Sequence, residues 1–245
     1  MHPNYDFDKI KFATDAPTFE KALAIYESNA VSKFEDNGIS GFSANVRGSG
    51  GKFYDVFVSA RHYDEGECNC YVGQSDALCK HIVSLAIYAV KRGEPLTVED
   101  RRQVSSVTCS ETLGQLNKDE STVVKKNITD AMRYIKPYNG PSRVWFSYQN
   151  SLVEGCNRLA KIISDLPVSE QTTDLIVQLL LRLDKKLCSG GVDDSDGTVG
   201  GFIEETVCVL IDYAKLDTKC LKVFVELKGK KTCFGWEKPL LKLID

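Results

Sequence analysis

A chain of 245 residues has room for one large domain or two smaller ones, and 42% hydrophobic with 27% charged residues is the composition of an ordinary globular protein. A net charge of −3 leaves no bulk electrostatic footprint for nucleic acid. No apolar run approaches the roughly 20 residues of a membrane span, and the first residues lack the basic and apolar regions of a signal peptide, so the sequence predicts a soluble, intracellular protein without a membrane partner.

Nine cysteines lie at 68, 70, 79, 109, 156, 188, 208, 220 and 233. Their number is odd and only the first three cluster, which predicts reduced, buried thiols in a reducing compartment over a disulfide framework. Charge is unevenly spread: Asp and Glu exceed Lys and Arg in the first 100 residues, and the rest is close to balanced.

In chain order, residues 15 to 30 read as the first helix, with Asp15 as cap, Pro17 in the first turn, and Phe19, Leu23 and Tyr26 at helical spacing. Asn37-Gly38 marks its exit. Ile39 to Val46 and Lys52 to Arg61 then run as β-formers around the glycine-rich turn 47 to 51, predicting a β-hairpin. That turn is no phosphate loop, because position 46 is Val and Gly51-Lys52 is followed by Phe53. Residues 82 to 90 carry a helical stripe of Ile82, Leu85, Ala86 and Ala89, closed by Lys91, Arg92, Gly93 and Pro95.

A domain boundary is expected near residues 100 to 112, with an amphipathic piece around 101 to 108, giving units 1–100 and 101–245. Asn117 to Glu120 has the form of a capping box. Beyond it the chain reads as helices at about 121–136, 143–165, 170–188, 199–214, 217–228 and 237–244, punctuated by Pro137, Gly140-Pro141, Pro167 and Gly190-Gly191. The stripe Leu175, Leu179, Leu183, Leu187 suggests antiparallel helix pairs, in the manner of a short α-solenoid. The expected fold class is α+β: a small ββα module built on the hairpin, with a preceding helix, followed by an all-α domain.

Between hairpin and helix stand Cys68, Cys70, Cys79 and His81, spaced Cys-x-Cys-x8-Cys-x-His. Three cysteines and a histidine complete a tetrahedral set for one structural Zn2+ and leave no position open for substrate or activated water. Two strand positions i and i+2 lie roughly 6.7 Å apart, whereas two sulfurs on one zinc lie about 3.8 Å apart. The chain must therefore curl at Asn69. On a helix, i and i+2 diverge by roughly 200°, so Cys79 must precede the first turn and His81 must open it. Lys80, between them, offsets the net −1 of a Cys3His zinc site. His2 and His62 stand outside the pattern and are expected at the surface.

These four ligands, with Leu78, Lys80 and Ile82 around the second pair, resemble the SWIM-type zinc finger, and the resemblance covers about residues 38 to 92. It implies a ββα arrangement around one zinc and a role in binding DNA or other proteins. Tyr71 departs from the pattern, since many members carry proline after the second cysteine.

Other candidates are weaker. Residues 190 to 200 fail as a calcium loop, because Val192 and Ile203 stand where the first and twelfth ligands belong. They read as a polar loop whose aspartate caps the next helix, with Asp193, Asp194 and Asp196 as a remote alternative for Mg2+. Lys228, Lys230, Lys231 and Lys238, interleaved with Phe234 and Trp236, read as a solvated turn before a nucleic-acid contact. No nucleophile, base and orienter set emerges, and no small-molecule substrate is indicated. The expectation is a non-enzymatic protein whose zinc braces a surface for a protein partner. The alternative is a DNA-binding or recombination accessory protein using Arg47, Lys52, Arg61, Lys80, Lys91 and Arg92.

Overall fold

A computed structural model describes residues 2–75, 77–102, 104, 106–142 and 145–245, with the side chain of Phe146 also outside the description. The chain divides into two compact units, Met1–Gln103 and Val104–Asp245.

In the first unit, Asp6 caps α1 (Phe7–Ala13) by accepting the Lys9 N–H, and Asp15 caps α2 (Ala16–Glu27) by accepting that of Thr18. Four strands follow: β1 (Val31–Asp36), β2 (Gly41–Arg47), β3 (Phe53–Ser59) and β4 (Glu67–Cys68). They form an antiparallel sheet in the order β1-β2-β3-β4. The chain then enters α3 (Lys80–Lys91) and the one-turn α4 (Val98–Arg101).

Alternation sorts the hairpin faces. Phe42, Ala44, Val46, Val56 and Val58 point inward and are buried, while Ser43, Asn45, Arg47, Phe53 and Asp55 point outward. α3 packs on the inner face with α2 beside it, burying Ile82, Leu85 and Ile87 against Phe19 and Phe42 in one core. Sequence alone assigns neither α1 nor β1. In β1 the apolar side chains, Val31 and Phe34, are three apart because the pairing slips between Ser32 and Glu35, where Lys33 has φ +48. A bulge of this kind erases the alternation that marks a strand.

The second unit is helical: α5 (Lys118–Ala131), α6 (Trp145–Ser164), α7 (Glu170–Cys188), α8 (Thr198–Leu216), α9 (Leu221–Phe224) and α10 (Lys238–Leu241). Asn117 and Glu120 form the capping box of α5. The helix expected over 217–228 is shortened to α9 between two 3-10 turns, and the start expected for α6, residues 143 and 144, lies outside the described residues. α6 packs against both α5 and α8, and α7 against α8 and α9. Their shared core includes Leu152, Leu159, Ile176, Leu180, Ile203, Leu210 and Phe224. The molecule is thus α+β, and no helix among the described residues is long and apolar enough to cross a membrane.

One cysteine expectation is overturned. Cys188, ending α7, and Cys233, in the C-terminal segment, are both exposed and joined by a disulfide across a Cα separation of 5.8 Å. The fold brings together two residues 45 positions apart by docking that segment on Asp184, whose Oδ1 accepts the Cys233 N–H (2.8 Å) and the Trp236 Nε1–H (3.0 Å). Cys208 is also exposed, against the expectation of burial, whereas Cys156 and Cys220 are buried.

Candidate metal centre

β4 ends at Cys68 and the chain bends at once through residues 69 and 70, which turns Cys70 back toward Cys68. The bend is clasped from the neighbouring strand. Asn69 donates its backbone N–H to Asp55 O (3.3 Å) and its side-chain amide to Asp55 Oδ2 (3.2 Å), while its Oδ1 accepts the Asp55 N–H (3.0 Å). Asp55 Oδ1 is held in turn by the Asn45 amide at 2.5 Å. This clasp is a positioning element that the spacing of the ligands does not reveal.

Cys79 occupies the N-cap of α3 in extended conformation, and His81 is the second helical residue. All four residues are buried, and their ligand atoms lie within 4.8 Å of one another. His81 presents Nδ1, at 3.8 Å from Cys68 Sγ and 3.9 Å from Cys79 Sγ. A nitrogen and a sulfur on one tetrahedral zinc lie about 3.6 Å apart, so the side chains are close to a coordinating arrangement. The ring is fixed from its other side: Tyr54 stacks on it at 4.5 Å, and Nε2 is buried without a hydrogen-bond partner among the described residues.

Glycine closes the loop between the ligand pairs. A Cβ on Gly73 would stand 2.4 Å from the Cys68 carbonyl oxygen, and the Gly73 N–H donates to Cys70 Sγ at 3.3 Å. The thiols are strongly differentiated. Cys68 is pushed up, first by its hydrogen bond to Cys79 and then by burial. Cys79 is pulled down, first by the hydrogen bond from Cys68, against burial, and further by His81 and the Ile82 N–H at the helix start. Several thiols that share one anionic site need a cation to ionise together. The donor set therefore fits a metal ion, and a softer, thiolate-binding one.

The six basic residues expected to line a nucleic-acid surface separate. Lys91 pairs with Asp100 at 2.9 Å and lies over the Phe7 ring, and Arg92 pairs with Asp36 at 3.4 Å and lies over Phe34 and Phe42. Lys52 lies over the Tyr54 ring, and Arg61 is exposed beyond the end of β3. Arg47 and Lys80 instead share one concavity with Lys21, a residue that sequence reasoning missed.

The remaining candidates have structural duties. Asp194 caps α8 through the Val199 and Gly200 N–H groups at 2.7 and 2.8 Å. Asp193 accepts from Trp145 Nε1 and Asp196 from Thr198. Among the described residues these carboxylates do not converge as a metal set. Trp236, which the lesser, nucleic-acid alternative for the lysine-rich turn would use for base contact, is 3% exposed and belongs to the core, and Lys228 pairs with Asp245. His2 and His62 are exposed. The chain matches no protein-family model, no curated protein and no solved structure.

Proposed function

We propose that the first unit is a SWIM-type zinc module in which one structural Zn2+ braces a surface for a protein partner. The helical unit, in this reading a short α-solenoid, supplies a second surface. The observation that carries the proposal is the closed, buried Cys3His set of Cys68, Cys70, Cys79 and His81. Four protein ligands leave zinc no position for a reacting group, so the metal's work is to hold the ligand turn against the start of α3. On this view the protein is not an enzyme.

A protein partner is favoured over nucleic acid by what surrounds the brace. Tyr71 and Val72, directly after the second ligand, are 89% and 45% exposed, and Phe53 on the adjoining strand is 56% exposed. Apolar side chains displayed around a rigid turn suit protein recognition. Two of the six cations needed by the DNA-binding alternative are committed to internal ion pairs.

Two measurements test the reading. Metal analysis of the purified protein should give one zinc per chain, lost in Cys79→Ser. Affinity capture from native cells should recover a partner that Tyr71→Asp and Phe53→Asp both release while zinc content is retained. Steep, salt-dependent binding of duplex or single-stranded DNA, with capture indifferent to both substitutions, would establish the DNA-binding alternative in its place.

A further inference from the structure

We propose that the concavity enclosed by α2, the β2–β3 turn and the start of α3 binds a phosphoryl group carried on a segment of a partner protein. The carrier rests on the protein-interaction reading above; the anion site itself rests on the pocket.

The cavity measures about 480 Å3, and three cations from three separate elements line it: Lys21 of α2, Arg47 at the end of β2, and Lys80 at the first position of α3. No carboxylate is among its described lining residues. Among the described residues, none of the three has an acidic group within ion-pair distance, although the same unit pairs Lys91, Arg92 and Arg101 with Asp100, Asp36 and Glu27. Three cations without an acidic partner that line one hollow of an acid-rich unit favour the entry of an anion. A compact group carrying nearly two negative charges and three acceptor oxygens matches that arrangement.

The turn adds neutral donors. Gly48 N–H bonds to Lys52 O at 2.9 Å and Gly51 N–H to Gly48 O at 3.0 Å, whereas the N–H of Ser49, a lining residue, meets no protein acceptor among the described residues. Ser49 also carries a hydroxyl donor. Backbone and hydroxyl donors beside cations are the usual company of a bound phosphate.

Two walls of the hollow are set by the metal ligands. Lys80 stands between Cys79 and His81. A Cβ on Gly48 would lie 2.7 Å from the Tyr54 ring and 3.1 Å from His81 Nε2, so the turn rests directly on the ring stack that holds the histidine. Metal loading should therefore order the anion site.

Shape selects the carrier. A nucleic-acid backbone presents a row of phosphates and needs a track of cations, whereas these three cations line a single hollow, and Lys91 and Arg92, at the far end of α3, are tied to acids. One phosphorylated side chain fits the hollow.

The test is an amide-resolved NMR titration of the full-length, zinc-loaded chain with inorganic phosphate, a phosphoserine peptide, its unphosphorylated twin and a short duplex DNA. Phosphate and the phosphopeptide should shift the amides of Lys21, Arg47, Ser49 and Lys80, and the unphosphorylated twin should leave them in place. Lys21→Glu and Arg47→Glu, both at exposed positions outside the metal set, should each weaken phosphopeptide binding at least about tenfold with one zinc per chain retained. Chelation of the zinc should abolish the shifts. Absence of any response to phosphate, or tighter binding of the duplex than of the phosphopeptide, overturns the proposal. Because small probes read the pocket directly, its failure is separable from failure of the Phe53 and Tyr71 surface.

Discussion

Gly73→Ala is a sharp test of how the loop holds the metal ligands. The added Cβ would stand 2.4 Å from Cys68 O and 2.7 Å from Cys68 Cβ, whereas real Cβ contacts essentially never fall under 3.0 Å. The obstacle is the backbone of a ligand residue, so no flexible side chain can absorb the overlap, and Cys68 or the loop must retreat by at least about 0.6 Å. Ligand distances at a metal tolerate about 0.2 Å. Retreat also stretches the Gly73 N–H bond to Cys70 Sγ, so two of the four ligands feel one methyl group. Loss of support of this kind costs about 10- to 100-fold in metal affinity, or roughly 1.4 to 2.7 kcal/mol. The assay is zinc titration against a competing chelator, with Gly50→Ala as control, since a Cβ there meets nothing within 4 Å. A Gly73→Ala protein that binds zinc within about twofold of the parent would refute the reasoning, which attributes ligand placement to the close approach of this loop.

Asp55→Ala should release Asn69 from the bend between Cys68 and Cys70, lowering zinc affinity and the melting temperature of the first unit, with Asp64→Ala silent in the same measurements. Reducing Cys188–Cys233 should lower the stability of the second unit by up to about 4 kcal/mol, from the loop entropy of a 45-residue separation. A urea midpoint unmoved by reductant would show that the bond closes nothing the fold does not already hold. Asp184→Ala should cost about 2 to 3 kcal/mol by leaving the buried Trp236 indole N–H unpaired, and should shift tryptophan emission to longer wavelength. Burial raises the pKa of Asp194 although the Val199 and Gly200 N–H bonds lower it. The folded state thus binds this proton more tightly than the unfolded chain, so the contribution is complete below the ordinary carboxylate range and is lost as pH rises through the raised value. Asp194→Asn should remove that slice of the pH dependence of stability, read by denaturation across an acid series.

What was legible in the sequence was local. Asp15 capping α2, the Asn117–Glu120 box and the placement of Cys79 ahead of His81 at the start of α3 all depend on residues within three or four positions of each other. Their geometry follows from helix dimensions alone. β1 was lost because the bulge at Lys33 replaces a two-residue period by a three-residue one. The Asp55–Asn69 clasp and the Cys188–Cys233 bond were out of reach for another reason: they join positions 14 and 45 apart, and only the register of β3 with β4 and the docking of the C-terminal segment bring them together. Aspartates, lysines and tryptophans look alike in sequence whether they face solvent or one another. Asp194 follows the expectation of a loop aspartate that caps the next helix, whereas Trp236, beside the lysines in sequence, is taken into the core.

The same distinction explains why the six cations around the module could not be read as a surface from sequence. Lys91 and Arg92 are adjacent to each other at the end of α3, yet each is turned inward onto an acid and an aromatic ring. Arg47 and Lys80 are 33 positions apart and open onto one hollow with Lys21. Clustering along the chain measures proximity of Cα atoms, whereas recognition depends on which charges remain uncompensated after folding. In this unit three of the uncompensated charges share a hollow beside the Cys3His set, because Lys80 stands between two of the ligands at the start of the helix on which the β2–β3 turn rests. The metal ligands and the cationic hollow are therefore consequences of one chain reversal. A change that opens the reversal, such as Gly73→Ala, should weaken metal and phosphate binding together, whereas Lys21→Glu should weaken phosphate alone.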